Sequence, residues 1–233
     1  MQEQKGDERT PFTQVIITAL NEEEGIGLTI ADLHAHLRSS RVLVVDGKST
    51  DQTVEIAKNM GADIIYQDGT GKGDALAKAL KYLDLAVDYV VITDADYTYS
   101  AEQVPEMIRI LEENHVIGMV SGNRFSGDVN PKGLKRMFHF GNRLIAWTHN
   151  FLSGFQMDDP LTGLRVVRAD ILRDWKVKSK GFDIGVELNH QVERRGFDIV
   201  EVPINYRPRL GQRKLKVKDG AAILKRIILE TTY

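Results

Sequence analysis

Asp88-Tyr89-Val90-Val91-Ile92-Thr93-Asp94-Ala95-Asp96-Tyr97-Thr98-Tyr99-Ser100 is the stretch on which the reading of this chain turns. Val90-Val91-Ile92 is a continuous β-branched run, the pattern of a buried strand. It runs into two carboxylates, Asp94 and Asp96. Residues two apart on an extended chain point to one side, so both acids leave the strand's carboxyl end together. In open α/β sheets that end is where ligands bind. Two carboxylates so close repel each other unless positive charge lies between them. A hard divalent cation supplies that charge, and diphosphate oxygens can complete its shell. A strand followed by an acidic, solvated turn is the plainer reading of the same residues, so the rest of the chain has to decide.

Upstream, short strands alternate with helical patterns. Val15-Ile16-Ile17 is a strand, and Ile26, Ile30, Leu33 and Leu37 mark the helix after it. Glu22, Glu23 and Glu24 fall where a first helical turn favours acids; alternatively Glu22 faces the strand end and hydrogen-bonds a ribose or base. Arg41 to Val45 is a second strand ending on Asp46-Gly47, where the Asp caps a turn or accepts from a nucleotide ring. Ser49 to Thr53 offers N-caps for a helix reaching Met60. A third strand, Ala62 to Tyr66, follows Gly61. Gly69-Thr70-Gly71-Lys72-Gly73-Asp74 then opens a helix carrying Leu76, Leu80 and Leu83. Its glycines let backbone approach a ligand, its helix start favours anions, and Lys72 adds a point charge. The spacing fits neither a P-loop nor a dinucleotide fingerprint, and a plain loop explains it equally. Beyond the organising stretch come a helix near Ala101 to Asn114 and a strand from Ile117 to Val120. The alternation predicts a mostly parallel, doubly wound α/β sheet with helices on both faces.

The second half changes character. Ser126 to Gly133 is turn-rich. Met137-Phe138, Phe140, Leu144-Ile145, Trp147 and Phe151-Leu152 make an aromatic helical stretch with Arg136 and Arg143 interspersed. That helix either faces the core or offers aromatics to an acyl chain or bilayer interface. Asp158 to Arg165 is a polar turn entering a strand at Leu164 to Val167. A helix spans Ile184 to Arg195, with Glu187 one position off its apolar stripe. Ile199 to Ile204 is a strand that Pro203 confines to an edge. Arg207 to Lys218 is the most basic segment, suited to a solvated tail, a diphosphate or an anionic membrane surface.

Composition sets the limits. The chain has 233 residues, 42% hydrophobic, and a net charge of −2, which suits one domain with a sizeable core. We divide it into a loose arm over 1–14, one domain over 15–218 and an amphipathic helix over 219–233. The absence of cysteine rules out disulfides, Cys-ligated metals and thiol catalysis. Met1 to Gln14 does not read as a signal peptide, and no run reaches the ~18 apolar residues of a membrane span. With no net basic charge and no recognition motif, nucleic acid is not an expected partner.

Taken in order, the motifs resemble those of family 2 glycosyltransferases of the GT-A fold, and within them the dolichol-phosphate mannose synthase type. They are Thr18-Ala19-Leu20-Asn21-Glu22, Val45-Asp46-Gly47-Lys48-Ser49-Thr50-Asp51-Gln52-Thr53, Gly71-Lys72-Gly73, Asp94-Ala95-Asp96 and Gly122-Asn123-Arg124. Asp159-Pro160-Leu161-Thr162-Gly163-Leu164-Arg165 follows, then Glu201-Val202-Pro203-Ile204 with Arg209-Leu210-Gly211-Gln212-Arg213-Lys214-Leu215. Thr18, Leu20 and Arg213 stand where the family usually has Pro, Tyr and Ser. The resemblance implies a nucleotide-sugar-binding first half and an acceptor-binding second half. It implies an inverting transfer from a nucleotide diphosphate-sugar to a polyprenyl phosphate, with Asp94 and Asp96 on Mg²⁺ or Mn²⁺. Ala19, Leu20, Glu22, Asp46, Lys72 and Ala95 would join those acids on the donor, with Arg209 and Lys214 closing over its phosphates. Arg124 and Arg143 would hold the acceptor's phosphate, and Asp159 would act as base or orient the acceptor. The expected location is the cytoplasmic face of a membrane, through peripheral contact or a membrane partner. A soluble transferase using a small acceptor such as a phosphoglycerate, and a non-catalytic sugar-nucleotide sensor, are the alternatives.

Overall fold

The computed structural model describes residues 11–37, 39–126, 136–153, 156–214 and 217–231. In chain order the elements are β1 (Thr13–Ala19), α1 (Ile26–His36), β2 (Ser40–Asp46), α2 (Thr53–Asn59), β3 (Asp63–Tyr66), α3 (Lys72–Leu80), β4 (Tyr89–Asp94) and α4 (Val104–Glu113). They continue with β5 (Ile117–Asn123), α5 (Arg136–Ser153), β6 (Arg165–Arg168), α6 (Ala169–Leu172), α7 (Ile184–Arg194), β7 (Asp198–Pro203) and α8 (Val217–Thr231).

The strands form one seven-stranded sheet in the order β3-β2-β1-β4-β6-β5-β7. β1, β2, β3 and β4 pair in parallel, β7 lies parallel to β5, and β6 runs antiparallel between β4 and β5. The chain moves outward from β1 to β3 and then returns to β4 on the other side of β1. Order therefore reverses between β1 and β4, and a crevice opens at their carboxyl ends, the position open sheets use for ligands. Register places Ala19 beside Asp46 and Thr18 beside Asp94 at that crevice.

Alternation along the central strands builds two cores. Val15, Ile17 and Val91 face α1 and α4, packing with Ile30, Met107 and Leu111. Ile16, Val90 and Ile92 face α3 and α7, packing with Leu76, Leu188 and Val192. Being covered on both faces explains the unbroken β-branched runs. A third, small cluster joins α5, α7 and α8 through Ile145, Val186, Ile223 and Ile227, with Leu161 and Phe182 against it.

Several expectations shift. β1 begins at Thr13, and Thr13 and Gln14 are both buried, because the strand pairs with Ser40 and Tyr89 from its first residue. The three acids do not enter α1, which starts at Ile26; Glu22 to Gly25 is a turn ahead of it. No side chain caps α2; Asp51 instead accepts from Thr53 N at 3.0 Å and Thr53 Oγ1 at 2.5 Å. Pro203 closes the edge strand β7, as its missing N–H requires. α5 divides its apolar residues: Ile145 is buried, whereas Trp147, Phe151 and Leu152 are exposed. The side chains of Met137, Phe138, Phe140 and Leu144, and the whole link at 127–133, lie outside what is described. α8 is amphipathic, with Ile223 and Ile227 inward and Ile228 and Leu229 outward.

A buried histidine gives this packing a pH signature. His149 of α5 is 0% exposed, and its ring lies 5.5 Å from that of His190 on α7. Burial above all, and then the neighbouring His190, lowers its pKa to about 4. The neutral ring is the native form, so its contribution is complete above the unfolded pKa near 6.5 and is lost as pH falls towards 4. We expect denaturant-measured stability to fall by about 3 kcal/mol between pH 7 and pH 4 from this group alone. His149→Asn should flatten that part of the profile; an unchanged slope would show that His149 does not set it.

Candidate active site

A cavity of about 310 Å³ occupies the crevice between the carboxyl ends of β1 and β4. Ala19, Leu20, Glu22, Lys72, Asp94, Ala95 and Asp96 line it, together with Arg124, Arg209 and Lys214. The fold brings to this cavity residues as far apart in sequence as Ala19 and Lys214. Asp46 and Arg143 stand apart from it. Asp46 is buried with its carboxylate on Ser49, at 2.8 Å to the N–H and 2.5 Å to Oγ. Arg143 is exposed on α5.

On one wall three carboxylates meet three cations. Arg209 pairs with Asp96 and Glu22, and Lys72 with Asp94. Lys214 lies 3.2 Å from Glu22 and donates to Asn21 O at 2.9 Å. Burial raises the Asp96 pKa, and the charge of Asp94 raises it further against the pull of Arg209. Burial likewise raises Glu22, against Arg209 and Lys214. These carboxyls resist carrying charge without a cation beside them. Glu22 Oε2 is buried without a hydrogen-bond partner. Among the described residues no group of three or more His, Cys, Asp or Glu is placed to hold a metal. The oxygen donors of Asp94 and Asp96 thus fit a hard divalent cation that shares its shell with a ligand's phosphate oxygens, and do not fit a cage of protein ligands.

The segment carrying Arg209 is laid along the loop after β4. Ser100 N donates to Asn205 O at 3.3 Å, Arg207 N to Thr98 O at 2.7 Å and Leu210 N to Asp96 O at 3.3 Å. Arg207 stacks 4.2 Å from the Tyr97 ring centroid and pairs with Asp32 at 2.9 Å. Tyr97 itself sits at φ 61°, a left-handed conformation that costs a tyrosine energy and marks a constrained site.

The glycine-rich opening of α3 packs against a neighbouring main chain. The N–H groups of Gly73 and Asp74 donate to Lys180 O at 2.9 and 3.3 Å. A Cβ on Gly71 or Gly73 would collide with the Lys180 or Ser179 carbonyl. The glycines therefore admit a neighbouring main chain, which takes two of the N–H groups at the start of the helix. Glu187 fixes that main chain: buried on α7, it accepts from Lys178 N at 2.7 Å and Ser179 N at 2.6 Å. Lys72 is held over Asp94 by this arrangement.

On the opposite wall Asp159 is fully buried and takes Arg124 in a fork, Nε at 2.6 Å and Nη2 at 2.6 Å. The Arg124 N–H also donates to it at 3.1 Å. Burial works against the charge on Arg124, yet the Asp159 carboxylate outweighs it and raises the guanidinium's pKa. Glu201 of β7 accepts from Asp158 N at 2.7 Å and Asp159 N at 2.8 Å, so it sets the turn that sets the pair. Buried Arg165 ties the same turn to α7, donating to Pro160 O at 2.7 Å and Gly185 O at 2.9 Å. Glu201 and Arg165 were visible as motif members, but their anchoring role depends on contacts across the fold.

Residues 14–175 match the domain described as Glycosyl transferase family 2. The chain belongs to this family. Its relatives include the dolichyl-phosphate hexose transferase of Haloferax volcanii, 36% identical over 92% of this chain and 91% of the relative. The glycosyltransferase AglJ of the same organism is 36% identical over 86% of this chain, which spans 65% of AglJ's length. In three dimensions this family 2 chain is similar to glucosyl-3-phosphoglycerate synthase from Mycobacterium tuberculosis, solved with Mn²⁺, UDP-glucose and phosphoglyceric acid. The TM-score is 0.71 at 21% identity, covering 95% of this chain and 78% of that one. The mostly parallel sheet is the GT-A arrangement that the motifs implied.

Proposed function

We propose that this protein transfers a hexose, with inversion, from a nucleotide diphosphate-sugar to a polyprenyl phosphate at the cytoplasmic face of a membrane. The observation that carries the reading is the state of Asp159. Both its oxygens are taken by Arg124, so this carboxylate is poorly placed to remove a proton. The remaining cavity acids, Glu22, Asp94 and Asp96, are paired on the donor side. A phosphate acceptor arrives already ionised near neutral pH and needs no base, and Arg124 offers it planar, bidentate recognition. The Haloferax relative named for dolichyl phosphate supports the same choice.

In this reading Lys72, Arg209 and Lys214 exchange their carboxylate partners for the donor's diphosphate, and the docked 205–214 segment excludes water from it. A divalent cation on Asp94 and Asp96 would neutralise the leaving diphosphate. Arg124, held rigid by Asp159, would orient the acceptor's phosphate at the anomeric carbon. The second reading, a small phosphorylated acceptor such as a phosphoglycerate, draws support from the fold likeness. It also fits the finding that, among the described residues, no helix is long and apolar enough to cross a membrane. Labelled nucleotide-sugars incubated with Mn²⁺ and, separately, with polyprenyl phosphates and water-soluble phosphates test the choice. Label in the organic phase is expected; label confined to the aqueous phase would move the assignment to the second reading. Donor binding without turnover on any acceptor would leave only a sensor.

A further inference from the structure

Tyr99 shares the cavity with Asp94 and Asp96 on one side and Arg124 on the other. It lines the cavity and is 7% exposed. Its ring packs edge-on against Tyr206 with centroids 5.3 Å apart, and Tyr206 in turn lies 5.6 Å beneath the Arg124 guanidinium. Gly163 N–H donates to the Tyr99 hydroxyl at 2.7 Å. A Cβ on Gly163 would collide with both Asp94 Oδ2 and the Tyr99 ring, so the hydroxyl, the Gly163 backbone and Asp94 are crowded together. One lone pair of the hydroxyl is therefore used, whereas among the described residues no group accepts its proton. A phenol keeps its proton at neutral pH, so the hydroxyl remains a donor. Arg124 is in a similar condition: Nε and Nη2 go to Asp159, while Nη1 has no partner among the described residues.

From these contacts we infer that the Tyr99 hydroxyl and the uncommitted Arg124 N–H groups form one oxyanion cradle, and that it holds a non-bridging oxygen of the acceptor's phosphate. The cradle rests on the phosphate-acceptor reading and deepens it. A phosphate oxygen is the ligand atom that suits two donors converging from a rigid phenol and a rigid guanidinium. A neutral hydroxyl in the same place would give these donors no charge-assisted hydrogen bond. The donor's diphosphate has its own cations, Lys72, Arg209 and Lys214, on the opposite wall.

Tyr99→Phe keeps the ring against Tyr206 and removes only the hydroxyl. The acceptor's KM is expected to rise roughly ten- to a hundredfold, the span for losing a hydrogen bond to a charged group, while the donor's Kd stays within about twofold. A donor Kd that rises in step with the acceptor's KM would overturn the assignment, because the hydroxyl would then serve Asp94. Titrating inorganic phosphate into protein saturated with nucleoside diphosphate and Mn²⁺ reads the cradle without turnover. Weaker phosphate binding in Tyr99→Phe than in the wild type supports the cradle; equal binding, or none in the wild type, overturns it. A wild type that binds phosphate there but transfers sugar to no phosphate acceptor would sink the functional reading and leave the cradle standing.

Discussion

Asp96→Asn is expected to abolish metal-stimulated transfer, lowering kcat/KM by about a thousandfold or more, while leaving the protein folded. The substitution is nearly isosteric. The Oδ1 atom that accepts from Thr98 N at 3.1 Å and Thr98 Oγ1 at 2.6 Å can be kept by the amide. What changes is Oδ2, the atom facing Arg209. An amide NH₂ there presents donors to a guanidinium that has only donors, and it can neither ligate a hard cation nor hold Arg209. Stabilisation of a leaving diphosphate by a metal is worth several kcal/mol, and about 4 kcal/mol corresponds to the stated loss. Stability should change less than activity, because burial and Asp94 already oppose ionisation of Asp96. Three measurements check this: kcat/KM against Mn²⁺ concentration, donor Kd with and without Mn²⁺, and the thermal midpoint. Retained Mn²⁺ coupling of donor binding in the variant would remove Asp96 from the metal site.

The contrast between Asp96 and Asp159 shows what the sequence could say and where it stopped. The period-two spacing of Asp94 and Asp96 after a β-branched run pointed both acids to the switch point, where both line the cavity although β4 ends at Asp94 and Asp96 lies in the bend after it. The alternation of strands and helices similarly gave the parallel sheet. The antiparallel insertion of β6 between β4 and β5 was beyond it, because pairing partners are set by contacts between residues more than 40 positions apart. The glycines before α3 were read for their freedom, which was right, but the neighbour they admit is Lys180, a residue over 100 positions away. Asp159 suffered most. Its motif told of a carboxylate near the acceptor, whereas its role depends on Arg124, which takes both of its oxygens. Tyr99 carried no local signal beyond its place in a loop, and Glu201 none for its anchoring role beyond its place in a motif. Local periodicity thus placed charges on faces, and the pairing of those charges required the fold.

The Arg124–Asp159 pair therefore supports the other large prediction. The two side chains are 10% and 1% exposed, and removing one partner of a buried pair leaves an uncompensated charge at a cost of about 3–5 kcal/mol. Asp159→Ala also withdraws the acceptor for the Arg124 N–H. We expect its thermal midpoint to fall by roughly 10 °C, at 2–4 °C per kcal/mol for a chain of this size. The double variant Arg124→Met with Asp159→Leu replaces the pair by apolar groups of similar bulk, and such replacements are often neutral or stabilising. It should recover most of the lost stability, giving a coupling energy of a few kcal/mol in the cycle. Transfer activity should recover in neither variant, since both lack an oriented guanidinium in the cavity. Asp159→Asn, which keeps one acceptor on Arg124, should retain more activity than Asp159→Ala and far more than Asp96→Asn. If Asp159 were instead a general base, its Asn and Ala variants would lose turnover equally, and each would lose it without a matching loss of acceptor affinity. That pattern in kcat and KM would overturn the anchoring role and point to an acceptor that must surrender a proton.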